Sequence, residues 1–228
     1  MAMCEIPIER TVPGNNPRLV RHSGVKVIQD AIQNSGWDDS SILIVQLVSD
    51  DDQFSNPENV RKDESLLKYC REEGKHALVN GHHHEKAVAN QKAVHFSLFP
   101  LPTKFLCKIC VGISKWDHFL ISKKANFVSS AAVEDSMHDK IFALEFAMQQ
   151  YQCLFPSESQ TEKKIKQFYE TEVGEKAMSA GSFNLYYNLS KTLTDEAKDL
   201  LKARTTDANH DFFTTDAMKT VIHVSKMF

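Results

Sequence analysis

Three consecutive histidines follow a glycine in Val79-Asn80-Gly81-His82-His83-His84. The surrounding pattern predicts a short strand over His76 to Val79, a tight turn at Asn80-Gly81, and a helix from about His83 to Ala93. Glycine between a strand and a helix adopts positive φ at no steric cost and lets the backbone approach a ligand closely. The first turn of a helix offers N–H groups without intrahelical partners at the positive end of the macrodipole. Such a junction suits phosphate, with imidazole donors at the same mouth. An ordinary strand–turn–helix with solvent-exposed histidines has the same pattern. Zinc is a third reading, using His76 with His82, His83 and His84. On a helix, however, residues i and i+2 do not share a face, and a catalytic zinc site also needs a third ligand and an outer shell.

Other clusters carry weaker chemistry. Asp50, Asp51 and Asp52 form an acidic loop that is either a cation site or simply solvated. Cys107 and Cys110 form a CxxC. The segment 105–113 reads as a buried strand, in which residues three apart point to opposite faces. Redox pairs sit at helix N-termini, so two core cysteines is the better reading. Arg18, just after the Asn16-Pro17 turn, is either a charge-assisted phosphate donor or a surface ion-pair partner. Phe183, Tyr186, Tyr187 and Leu189 have the spacing of helical core; base stacking is the less economical alternative.

The elements that must position these residues follow from periodicity and punctuation. Cys4 to Val12 alternates apolar and polar residues and reads as a strand interrupted at Pro7. Gly24 to Ser35 reads as a helix ended by Gly36. Ser41 to Val48 is nearly continuous apolar and reads as a buried strand. A helix is expected over Asp63 to Glu73, and a short one over Lys115 to Lys124, broken by the stretch from Ala125 to Ser130. Beyond that the chain turns helical: Glu134 to Leu154, Glu162 to Glu172, Ser182 to Leu193, Thr194 to Arg204, and a last helix over about Thr215 to Lys226.

With 228 residues, 42% hydrophobic and 25% charged, the chain has the composition of a globular protein with a good core plus an appended element. A net charge of -3 gives no overall attraction to nucleic acid, so any such contact needs a local patch. No run of about 18 apolar residues suggests a spanning helix, so no membrane partner is expected. The N-terminus shows no signal-peptide pattern. Five dispersed cysteines fit a reducing compartment, and the expected location is inside the cell, cytoplasmic or nuclear.

The order strand, Asn-Pro-Arg turn, helix, strand, helix, strand–Gly–helix, strand resembles the ParB/sulfiredoxin superfamily. The matching stretches are Ile6-Pro7-Ile8-Glu9 with Asn16-Pro17-Arg18, Gly24-Val25 to Gly36, and Val79 to His84. The last is similar to Gly-Glu-Arg-Arg of ParB proteins, Gly-Cys-His-Arg of sulfiredoxins and Asp-Gly-His-His-Arg of free-serine kinases. The resemblance implies an α+β fold: a small mixed sheet with flanking helices over residues 1–130, then an α-helical region over 131–228. It implies ATP or CTP with Mg²⁺, the phosphates contacted by Gly81, His82 and His83. His84 stands where the family's second Arg falls, so Arg18 or Lys86 would share the work. Asn126 is similar to the Asn of the ParB Glu-Asn motif, although the Glu position is Ala125. In a kinase-like member a carboxylate would be the general base, and Glu9 is the candidate. The sulfiredoxin cysteine falls on His82, which disfavours sulfinic-acid reduction. The implied activity is nucleotide binding with phosphoryl transfer or nucleotide hydrolysis. The alternative is a non-enzymatic DNA-associated or protein-interaction module with a degenerate nucleotide site, its partner held by the helical region.

Overall fold

The computed structural model describes residues 2–14, 19–48, 64–94, 98–128, 135–174 and 178–206. The acidic loop at Asp50 to Asp52, Arg18 and the expected helix at 215–226 lie outside them. The chain divides into two compact units, one of Met1–Asn16 with His22–Ser129, the other of Pro17–Arg21 with Ser130–Phe228.

The first unit is a five-stranded mixed sheet with flanking helices. Its strands are β1 (Ala2–Pro7), β2 (Thr11–Val12), β3 (Ile42–Val48), β4 (Lys75–Asn80) and β5 (Lys104–Cys110), in spatial order β1-β5-β3-β4-β2. β1 is antiparallel to β5 and β3 to β4, while β3–β5 and β2–β4 are parallel. Pro7 ends β1, as its missing N–H requires, and a 3₁₀ turn over Ile8–Arg10 leads to β2. Between the strands come α1 (His22–Ser35), α2 (Glu64–Glu72), α3 (His82–Val94) and α4 (Lys115–Val128).

Register explains the core. Cys4 faces Cys107, Ile6 faces Phe105, Leu43 faces Cys107, Val45 faces Ile109 and Leu78, and Leu47 faces His76. Residues directly paired share a sheet face, and all of these are buried. Along β3 the intervening Ile42 and Val48 are exposed. The strand is therefore half-buried with period 2, where its continuous apolar run suggested burial on both sides. Helices α1 and α3 pack on each other, α2 on β1 and α4 on β4. Helix α4 also runs on through Ala125 to Val128, past the expected break, because Asn, Phe and Val are merely weak helix formers, not terminators.

Cys107 and Cys110 are both buried. Burial pushes the thiols of Cys70 and Cys107 up to about 12 and raises those of Cys4 and Cys110. These are inert core thiols. The five cysteines are free.

The second unit is helical: α5 (Met137–Leu154), α6 (Glu162–Glu172), α7 (Ala180–Thr192) and α8 (Asp195–Thr206), with α5 packed on each of the others. A capping box opens α5. Ser136 Oγ accepts from Asp139 N at 3.1 Å, and Asp139 Oδ2 accepts from Ser136 N at 2.8 Å. Asp139, 1% exposed, also accepts from Leu19 N at 2.9 Å and pairs with Arg21 Nη2 at 3.4 Å. This carboxylate ties Leu19 and Arg21 to α5, more than a hundred residues away in the chain. Phe183, Tyr186, Tyr187 and Leu189 are buried core, and Tyr187 Oη donates to Gln160 O at 2.9 Å. No helix among the described residues is long and apolar enough to cross a membrane.

Gly81 is a tight point of the first unit. Its φ is +98° and an added Cβ would lie 2.5 Å from Leu43 Cγ. Gly81→Ala is expected to cost about 2–3 kcal/mol of unfolding free energy, from backbone strain and overpacking together. Urea unfolding followed by circular dichroism checks this, and an unchanged midpoint would contradict it.

Candidate functional site

The site grows from the C-terminal end of β4. Asn80 Oδ1 accepts from Gly81 N at 2.8 Å, and Gly81 O accepts the first bond of α3 from Glu85 N at 3.0 Å. The turn is thus closed by its own side chain, and the positive φ of Gly81 swings the chain from strand into helix within one residue. His82, His83 and His84 form the first turn of α3.

The three rings have different surroundings. His82 is 8% exposed. Burial, helped by His118 and His83, lowers its pKa to about 4. His83 is half-buried. His84 is half-buried too, edge-on to Trp37 with ring centroids 5.9 Å apart. Burial lowers the His84 pKa, against the pull of the Asp38 carboxylate. His84 is therefore neutral at pH 7 and does not supply the cation that an arginine would.

The other expected site residues are spread out. Thr11 pairs with His76 in the parallel β2–β4 ladder. The exposed Glu9 precedes Thr11, so it lies toward the beginning of β4. The four-residue step from His76 to Asn80 spans about 13 Å, and Glu9 is not brought to the histidine turn. Gly14 rests against the backbone of Leu78, near the end of β4; Arg18 itself lies outside the described residues. Asn126 is in the last turn of α4, and its side chain is not described. His76 is not on the α3 turn but inside β4, fully buried. Among the described residues neither ring nitrogen makes a well-formed hydrogen bond, while the nearby Arg10 carbonyl favours protonation. Burial nonetheless lowers its pKa to about 4. Among the described residues no group of three or more His, Cys, Asp or Glu side chains could hold a metal ion.

Two features were not anticipated. One is His118 on α4. Ser114 and Asp117 fix the start of this helix, Asp117 N donating to Ser114 Oγ at 3.0 Å and Ser114 Oγ to Asp117 Oδ2 at 2.6 Å. His118 N then donates to Ser114 O at 2.9 Å. Its ring is buried and interacts electrostatically with His82. The signal in the sequence was its place between Trp116 and Phe119, both inward, which puts a polar ring on an apolar face. The other is a groove of about 750 Å³ lined by Trp37, Phe99, Pro100, Pro102, Leu106 and Glu5, among others. Trp37 links this groove to His84.

No protein-family model matches the chain, and neither does any curated protein sequence. Among solved structures, it is similar to the C-terminally truncated chromosome-partitioning protein ParB from Caulobacter crescentus, crystallised with CTP-gamma-S, at 12% identity. That similarity covers 100% of this chain and 98% of the other, with a TM-score of 0.36.

His76 and His82 make stability depend on pH. Both are held neutral in the fold with pKa values near 4, while the unfolded chain binds protons at about 6.5. Their contribution is complete above pH 6.5 and is lost progressively as pH falls toward 4. Each is expected to cost up to about 1.5 kcal/mol between pH 6.5 and 5. Urea titrations across that window should show the loss, with a shallower slope in His76→Gln. A flat profile would contradict it.

Proposed function

We propose that this chain is a nucleotide-binding protein that holds the phosphates of ATP or CTP, with Mg²⁺, at the start of α3. The observation that carries the reading is the β4–Gly81–α3 junction. A glycine at φ +98° hands a strand directly to a helix whose first turn is made of His82, His83 and His84. The helix N-terminus would attract the anion, and the half-buried His83 is the proposed imidazole donor to it. The groove beside His84 has the size of a small-ligand site, and Trp37 gives it an aromatic wall suited to a base. The motif order shared with the ParB/sulfiredoxin superfamily supports the same assignment, with Arg18 and Asn126 as further contacts.

The reading is of binding more than of chemistry. Glu9 lies toward the other end of β4, His84 is turned to Trp37, and Ala125 stands where a metal-associated carboxylate would be. A DNA or protein partner for the helical unit belongs to the alternative, in which the junction is a degenerate site.

Calorimetry with ATP and with CTP, each with and without Mg²⁺, tests the reading on the full chain and on His83→Ala. Gly81 variants are unsuitable because they disturb packing on Leu43. Removing one hydrogen bond to a charged group is worth roughly 1.5–3 kcal/mol, so His83→Ala should weaken binding by about tenfold or more. No heat from either nucleotide with folded wild-type protein would overturn the assignment and leave the interaction-module reading.

A further inference from the structure

Resting on that reading, we propose that His118 of α4 is a second anion-contacting residue, closing over the start of α3 so that its imidazole and that of His82 hold one phosphate oxyanion between two helices.

His82 is the first residue of α3 and His118 lies in the first turn of α4. They are 8% and 5% exposed. Among the described residues, the Nε2 atom of each is buried without a hydrogen-bond partner. A buried polar atom left in this condition costs about 1–3 kcal/mol, and most such atoms in folded proteins are satisfied. Two of them, on electrostatically interacting side chains from separate helices, can be satisfied together by one shared acceptor once the rings take up a proton. An oxyanion accepts from two imidazole N–H groups at once, and the helix N-terminus beside His82 favours negative charge. The Leu78 carbonyl of β4 favours the protonated form of His118, so the ring has a backbone anchor from the strand that leads into the junction. Beside burial, the charges acting on His82 among the described residues are those of His118 and His83, both imidazoles.

Protonation gives a readout that a purely structural histidine would not show. Without ligand, burial keeps both rings neutral at pH 7. A bound oxyanion favours imidazolium. Binding should therefore draw protons from solution, and the histidine titrations should move to higher pH.

The experiment uses inorganic triphosphate as the probe on the full chain. Calorimetry in two buffers of different ionisation heat reports proton uptake, and the ring C–H resonances of His82 and His118 are followed against pH with and without triphosphate. The expected results are net proton uptake at pH 6.5, an upward shift of both titrations, and at least tenfold weaker binding in His118→Gln, checked by circular dichroism to be folded. His118→Asn provides a second variant should glutamine unfold the chain. Triphosphate that binds with unchanged affinity in a folded His118 variant, or without moving the His118 titration, would overturn this inference alone. No binding to wild type would overturn both it and the nucleotide reading.

Discussion

Residue 81 has its backbone in the left-handed region, and the side chain of Leu43 fills the space where a Cβ would go. The turn from β4 into α3 therefore depends on the absence of a side chain. Because α3 begins at the next residue, this packing fixes where the helix N-terminus points and which side of the sheet the three histidines leave from. Leu43 is paired with Cys107 in the β3–β5 ladder, so the turn is also keyed to the centre of the sheet. The glycine that looked like a ligand-approach device is first a packing device. Any binding role comes from the helix start that this packing aims.

Burial then sorts the histidines. His76 is enclosed by strands on either side, Thr11 of β2 and Leu47 of β3, and stays neutral. His82 and His118 are neutral for the same reason, while His83 is left partly open. Neutral imidazoles donate single hydrogen bonds but do not attract phosphate from a distance as arginines do. Long-range attraction to a nucleotide would have to come from cations elsewhere in the chain, against an overall charge of -3, because the helix dipole acts only within the first turn.

Much of the fold was legible in the sequence for physical reasons. Alternation along β1, the apolar run of β3, the glycines after α1 and before α3, and the apolar stripes of the later helices are local signals. Each survived into the structure within a few residues. What was not legible was non-local. The half-exposed face of β3 depends on which strands flank it. The attachment of Leu19 and Arg21 to Asp139 joins residues far apart in the chain, and no spacing rule reports it. At the site, the histidine turn was visible because its residues are adjacent. His118 was hidden because His82, with which it interacts, is on another helix, and the place of Glu9 toward the beginning of β4 follows from a strand register that no local signal reports.

The proposed function requires an anion on the first turn of α3. The most direct measurement is a titration of the isotopically labelled chain with CTP and ATP, followed by the backbone amide resonances of His82, His83 and His84. Saturable shifts largest at these three amides are the expected result, because N–H groups at a helix start hydrogen-bond to phosphate. Saturable binding with its largest shifts elsewhere, or no shift at these amides at millimolar nucleotide, would contradict it.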